Sequence, residues 1–250
     1  MADPTVLKLG GSVITDKDSP ETVDDAALNG VLDAIAEAPI ADTQLVIVHG
    51  GGSFGHVHAA EHGVSTTTGT DNAAAAMAIH SAMKRLNRVV VDRLHDRGIE
   101  ALPVHPLSVA ARDDHGELTL PSTATGGLLA EGFVPVLHGD VIAHAGDGVT
   151  VLSGDEIVTS LADSLGADRV GLCSTVPGVL DETDAVIDEI TRFEDVADVL
   201  GDSESTDVSG GMAGKVRELL ALGAPAHIFG PDAVADFLSG AEPGTRIDGR

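Results

Sequence analysis

The chain contains no apolar run approaching the length of a membrane-spanning helix, which excludes a helical integral membrane protein. It has one cysteine, Cys173, so no intramolecular disulfide is available. That residue lies in an apolar strand and reads as a small core side chain. The start, Met1-Ala2-Asp3-Pro4, has neither a basic region nor an apolar stretch, so no secretory signal is expected and a cytoplasmic location is. Positive charge is scarce too. Lysine and arginine together number 14 against 40 aspartates and glutamates, a formal net charge of −26. A field of that sign repels phosphate backbones, so a nucleic-acid partner is disfavoured. The acids are scattered along the chain, a pattern suited to a high-salt cytoplasm. At about 1 M salt the Debye length is about 3 Å, which screens such self-repulsion.

Against that scarcity the lysines become informative. There are four: Lys8, Lys17, Lys84 and Lys215. Lys84 falls on a long helix and reads as a solvated charge. The other three lie in or beside glycine-rich stretches. Lys8 interrupts Thr5-Val6-Leu7-Lys8-Leu9, an otherwise apolar strand, where an unpaired ammonium is costly. The loop Lys8-Leu9-Gly10-Gly11-Ser12 follows that strand. The stretch His49-Gly50-Gly51-Gly52-Ser53-Phe54-Gly55-His56 follows a second strand over 44–48, and Ser209-Gly210-Gly211-Met212-Ala213-Gly214-Lys215 opens a late helix. Glycines after a buried strand let bare backbone N–H groups approach a phosphate, with φ > 0 available at little steric cost. One such loop is weak evidence; three of them, two with lysine, point to phosphoryl transfer.

The 250 residues, 43% of them hydrophobic, suffice for one large α/β domain. Periodicity predicts a loop over 13–19 carrying Lys17, a helix over 23–37, and a polar loop over 57–70. A long helix is predicted from an Asp71 cap to Arg97, with Gly98 beyond it. Its apolar face, including Met77 and Ile79, suits core or dimer packing or the wall of an apolar substrate pocket. Further strands are expected over 99–104, 133–137, 169–173, 226–229 and 245–247, and a hairpin over 141–152 around Gly146-Asp147-Gly148. Helices are expected over 122–131, 193–200, 211–222 (capped by Ser209) and 232–238. Ser153-Gly154-Asp155-Glu156 is a capping box that places Asp155 in the first turn of a helix. Strand–helix alternation throughout predicts a mostly parallel sheet with helices on both faces. A soft division near 145–152 separates lobes 1–150 and 151–250.

No Walker A motif and no protein-kinase signature set is present, so phosphoryl transfer must use another scaffold. The runs Lys8 to Ser12, His49 to His56, His138-Gly139-Asp140, Ser153-Gly154-Asp155 and Asp207-Val208-Ser209-Gly210-Gly211-Met212 resemble the amino acid kinase superfamily, in its order and over nearly the whole chain. The Gly-Ser-Phe-Gly-His ending resembles the archaeal branch that phosphorylates isopentenyl phosphate. The resemblance implies an open αβα sandwich, ATP and Mg²⁺, a homodimer, and no metal held by the protein itself. It implies Lys8 and Lys17 on the transferring phosphoryl group, and His56, Gly51 and Gly139 on the acceptor. It further implies Lys8, Leu9, Gly10, Gly11, Ser12, Gly52, Gly211 and Lys215 on ATP, with Asp155 orienting the lysines. Thr175 stands where relatives often carry a carboxylate that touches the nucleotide. The lobe 1–150 then serves the acceptor and 151–250 the nucleotide.

Two other readings stay open here. A sister kinase could act on a phosphonate or an amino acid, although an amino acid wants a fixed cation for its carboxylate. Arg85, Arg88, Arg93, Arg97 and Arg112 are the candidates for that cation. Alternatively His56, His58, Glu61 and His62 could present metal ligands, with His58 and His62 one helical turn apart. The charge yields a first prediction: fold and activity require high salt. Circular dichroism and turnover over a salt series should show both failing in dilute buffer, and full activity there would remove the halophilic reading.

Overall fold

The computed structural model describes residues 4–40, 43–200 and 211–250. Strands and helices alternate along them. The first part runs β1 (Thr5–Leu9), α1 (Gly11–Ile14), α2 (Asp25–Glu37), β2 (Leu45–His49), α3 (Gly52–His62), α4 (Ala73–His95) and β3 (Ala101–Pro103). The middle holds β4 (Ala111–Arg112), β5 (Leu118–Thr119), α5 (Thr123–Ala130), β6 (Val134–His138), β7 (Asp140–His144) and β8 (Gly148–Leu152). Then come α6 (Gly154–Leu165), β9 (Arg169–Cys173), β10 (Glu189–Ile190), α7 (Ala197–Leu200), α8 (Gly211–Leu220), β11 (Ala226–Phe229), α9 (Val234–Leu238) and β12 (Thr245–Ile247).

Eight strands form one sheet in the order β10-β12-β11-β9-β1-β2-β6-β3. Its pairings are parallel except β11 with β12. The β7–β8 hairpin and the short β4 and β5 make a second sheet, in the order β5-β4-β7-β8. Alternation of side chains along β1 decides what faces what. Leu7 and Leu9 point to one face, into a core shared with α2, α4 and α9; Val6 points to the other, into a core with α5, α6 and α8. Helices therefore cover both faces, an αβα sandwich as the alternation predicts. Lys8 shares Val6's face, which carries its side chain toward the start of α6.

Register aligns the strand ends. Leu9 pairs with both His49 and Cys173, and His49 pairs with His138. So β9, β1, β2 and β6 finish side by side, and their following loops open on one edge, where open α/β sheets place their ligands.

Several boundaries differ from the sequence expectations for local reasons. The glycine turn after β1 is already helical from Gly11, and the triple glycine runs straight into α3 at Gly52. The polar stretch expected as loop from 57 is therefore helix as far as His62, stopped by Gly63 at φ +64°. The long helix is capped by Asn72 rather than Asp71, because the Asn72 side chain accepts from both Ala74 and Ala75 N–H. It ends at His95. The expected cap at Ser209 lies outside the described residues.

Candidate active site

The two glycine loops lock together backbone to backbone. A Cβ on Gly11 would lie 2.2 Å from Gly52 N, and one on Gly50 would lie 2.7 Å from Gly11 N. Gly52 has φ +48°, and a Cβ there would lie 2.1 Å from Thr15 Oγ1. Glycine is required at these points because no side chain fits between the loops. Each loop feeds a helix start, whose first N–H groups have no intrahelical partner. Ser53, in the first turn of α3, donates its N–H to Thr15 Oγ1 at 3.0 Å, which ties the second loop to the segment after α1.

Beside these amides stands a buried charge cluster. Lys8 Nζ lies 2.5 Å from Asp155 Oδ1, and Lys215 Nζ lies 3.6 Å from Asp155 Oδ2. Lys8 is 6% exposed and Asp155 4%. The carboxylate is placed by the start of α6, where Ser153 accepts from Glu156 N–H and Glu156 accepts from Ser153 N–H. Gly154 makes room for the lysine stem: a Cβ there would sit 3.1 Å from Lys8 Cε. Burial pushes the Lys8 ammonium below its ordinary value, and Asp155 pulls the other way. Burial alone would raise the Asp155 carboxyl, but the Lys8 and Lys215 charges outweigh it and hold that group below the usual range. Asp155 thus stays ionised between two ammonium groups.

A cleft of about 280 Å³ opens over this cluster. Lys8, Lys17 and Lys215 line it together, so three of the chain's four lysines meet at one cavity. Gly10, Gly11, Ser12, Gly51, Gly52 and His56 come to it from the two loops; Gly139, Asp155, Thr175 and Gly211 come from the later strands and helices. Leu9 does not. The alternation that aims Lys8 at α6 turns Leu9 the other way, fully buried in the α2–α4 core. Its side chain is therefore not presented to the cleft. Gly139 lines the cleft, but its N–H is already donated to His49 O at 3.0 Å, so that amide is not spare for an acceptor.

The far wall is apolar, made of Ala59, Ile79, Met83, Val151 and Leu152. Met77, expected to share it, is half exposed on the outer side of α4. Among the described residues, no arginine lines the cleft. Arg85 pairs with Glu21, Arg88 with Asp92, Arg93 with Asp25, Arg97 with Asp33 and Arg112 with Glu156. The suggested ligand set on α3 does not assemble either. His58 Nε2 lies 2.6 Å from Glu21 Oε1, and among the described residues no three His, Cys, Asp or Glu side chains are arranged to hold a metal.

Sequence reasoning missed a seam of histidines behind the loops. His49 and His138 end adjacent strands, and each turns Nδ1 back onto the following glycine carbonyl, Gly50 O at 3.1 Å and Gly139 O at 2.9 Å. A carbonyl only accepts, so both Nδ1 atoms carry protons and both Nε2 atoms of the neutral rings accept. His138 Nε2 receives His105 Nδ1–H at 2.8 Å. His49 Nε2 faces Asn87 Oδ1 at 3.1 Å, while Asn87 Nδ2 is buried without a partner among the described residues; turning that amide over lets Nδ2–H donate to His49 Nε2. His80 Nδ1 donates to Asp140, 2.9 Å from Oδ1. Burial lowers His49 to about 4 and His138 to about 3, so both stay neutral near pH 7. The repeated His-Gly at the ends of β2 and β6 was the signal available in the sequence.

Comparison with known proteins agrees with this geometry. The profile of the amino acid kinase family matches residues 3–229. The chain belongs to the amino acid kinase family. It is 64% identical to the isopentenyl phosphate kinase of the halophilic archaeon Haloferax volcanii, over 98% of each chain. It is 35% identical to the isopentenyl phosphate kinase of Methanothermobacter thermautotrophicus, over 98% of this chain and 99% of that one. A crystal structure of an isopentenyl phosphate kinase superposes with a TM-score of 0.82 at 30% identity, covering 97% of this chain and 99% of the other.

Glu218 of α8 adds a pH dependence. Burial, then the Asp155 and Glu156 charges, raise it from 4.5 to about 7, and its Oε2 is buried without a hydrogen-bond partner among the described residues. A raised carboxyl binds a proton in the folded state that the unfolded chain releases. Its contribution is therefore complete below 4.5 and is lost as pH rises through about 7. Glu218→Gln should leave stability near wild type at about pH 5 and raise it by about 1–3 kcal/mol at about pH 8. Denaturant melts at constant salt across that range check this; a variant that tracks wild type throughout would contradict it.

Proposed function

We propose that this protein transfers the γ-phosphate of ATP to isopentenyl phosphate, giving isopentenyl diphosphate. The carrying observation is the convergence of Lys8, Lys17, Lys215 and His56 on one cleft with an apolar wall and no arginine. A phosphoryl transition state spreads negative charge over its equatorial oxygens, so catalysis is positioning plus cationic stabilisation. Lys8 and Lys17 meet the transferring group, and Lys17 stabilises the transition state. Lys215, Gly10, Gly11, Ser12, Gly52, Gly211 and Thr175 hold the nucleotide. Asp155 is committed to two ammonium groups, which supports an orienting role and not that of a base. An acceptor phosphate is already a nucleophile and needs none.

His56 and the Gly51 backbone bind the acceptor phosphate, and the wall of Ala59, Ile79 and Met83 takes the prenyl tail. Gly139 serves by its lack of a side chain. Among the described residues, the cleft's carboxylates are Asp155, occupied by the lysines, and Asp140, occupied by His80 and Leu107 N–H. That donor set fits Mg²⁺ brought by the nucleotide, with phosphate oxygens as its main ligands; bound there, Mg²⁺ neutralises charge on the phosphates. In this reading residues 1–150 serve the acceptor and 151–250 the nucleotide, and the working form is a cytoplasmic homodimer.

A kinase of the same family acting on an amino acid would need a fixed cation for the carboxylate. The arginines that could serve are engaged elsewhere, which favours the phosphate acceptor. His56→Ala should abolish turnover of isopentenyl phosphate while ATP binding, followed by calorimetry, stays within about threefold of wild type. Loss of ATP binding would mean that His56 sits at the nucleotide end. Turnover of glutamate or fosfomycin in preference to isopentenyl phosphate would overturn the substrate.

A further inference from the structure

Lys17 stands apart from the other two cleft lysines. Lys8 and Lys215 are held by Asp155, whereas Lys17 is exposed and its ammonium is paired with no described residue. Its position is set by the loop that carries it. That loop is closed at its base by the Thr15–Val23 bridge and by Asp16 N–H donating to Thr22 O at 3.0 Å. The returning limb is fastened to the first turn of α3. Glu21 donates its N–H to Ser53 O at 3.0 Å, Thr22 donates its N–H to Ser53 Oγ at 3.3 Å, and Ser53 Oγ–H returns a bond to Thr22 O at 3.2 Å.

The Glu21 side chain then reaches further than its backbone. Its Oε1 lies 2.6 Å from His58 Nε2 on α3; its Oε2 accepts from Arg85 Nε at 3.1 Å and Nη2 at 2.5 Å on α4. Hydrogen bonds from Arg85 and His58 hold this carboxyl below its ordinary value. Glu21 also has φ +49°, a left-handed conformation that a residue with a side chain adopts only when its surroundings impose it. One carboxylate therefore joins three pieces: the Lys17 loop, the helix that carries His56, and the helix whose Ile79 and Met83 form the apolar wall. An ordinary surface ion pair adds little, and nothing in such a pair calls for that backbone conformation.

We propose that Glu21 is a positioning residue for the transfer. It latches the Lys17 loop onto α3 and α4 and so fixes the Lys17 ammonium relative to His56, with Arg85 and His58 as the two halves of the catch. This rests on Lys17 acting on the transferring phosphoryl group.

The test is a double-mutant cycle of Glu21→Ala with Lys17→Ala, at fixed high salt, reading kcat, both KM values and the melting temperature. Displacing a reacting group by about 1 Å costs about a hundredfold, so Glu21→Ala should lower kcat by about ten- to a hundredfold with each KM within about threefold. On the Lys17→Ala background the same change should cost less than about threefold, since the group it positions is gone. An unchanged kcat in Glu21→Ala, or an equal further loss on the Lys17→Ala background, would overturn the proposal. If Lys17→Ala itself keeps full turnover, the kinase role of Lys17 fails instead. Should Glu21→Ala not fold, Arg85→Gln opens the same latch from α4. Its kcat loss should vanish on the Lys17→Ala background, and no loss or an additive one would again overturn the latch.

Discussion

The ion pair between Lys8 and Asp155 is the constraint on which the rest of the site depends. An ammonium in the middle of a buried strand is tolerated only with an anion beside it. The anion comes from 147 residues further along, in the first turn of α6. A helix start favours a carboxylate there, and the capping box fixes where that turn begins. Removing one partner of such a pair typically costs about 3–5 kcal/mol, because the other charge is left buried and unmatched. The pair thus pins α6 across β1 and sets the floor of the cleft. With Lys215 on the second oxygen, two ammonium groups face one carboxylate. The cluster gathers two of the four lysines of a chain whose total charge is −26, and the Glu218 carboxyl feels the same charges. The glycine amides beside it add no side chain and no negative charge.

The two basic residue types divide the labour. Arg85 and Arg93 of α4, and Arg97 just beyond it, brace that helix against Glu21, Asp25 and Asp33, while Arg88 pairs with Asp92 within the helix. Their planar forks suit fixed carboxylates on neighbouring elements. Three of the four lysines, compact point charges, line the cleft. The histidine seam has a different task. It stays neutral by burial and holds the Gly50 and Gly139 carbonyls at the ends of two paired strands. The strand ends are thereby kept in register beneath the site without adding charge to it.

Much of this was legible in the sequence because it is local or follows a fixed period. The lysine inside β1, the capping box before Asp155 and the glycine runs after strands are each visible within a few residues. The alternation of elements implied the layers. What the sequence did not show was geometry at the next level. Leu9 adjoins Lys8, yet strand alternation sends it to the opposite face. The resemblance implies Gly139 on the acceptor, and its N–H is spent on His49, a partner 90 positions away. The stretch after His56 is polar and reads as loop, but the helix it belongs to is held by packing, with Gly55 set against Met83: a Cβ there would lie 2.7 Å from Met83 Sδ. Glu21 gave no signal at all, since its partners lie on two helices that only the fold brings to it.

The central claim is that these ammonium groups and amides form one phosphate-binding centre. A crystal structure of the protein with a non-hydrolysable ATP analogue and isopentenyl phosphate tests it most directly. The account predicts the terminal nucleotide phosphate within hydrogen-bond reach of Lys8, Lys17 and the Gly11–Ser12 amides, facing an acceptor phosphate on His56. Nucleotide phosphates bound away from Lys8, or an acceptor lying outside the wall of Ile79 and Met83, would contradict it.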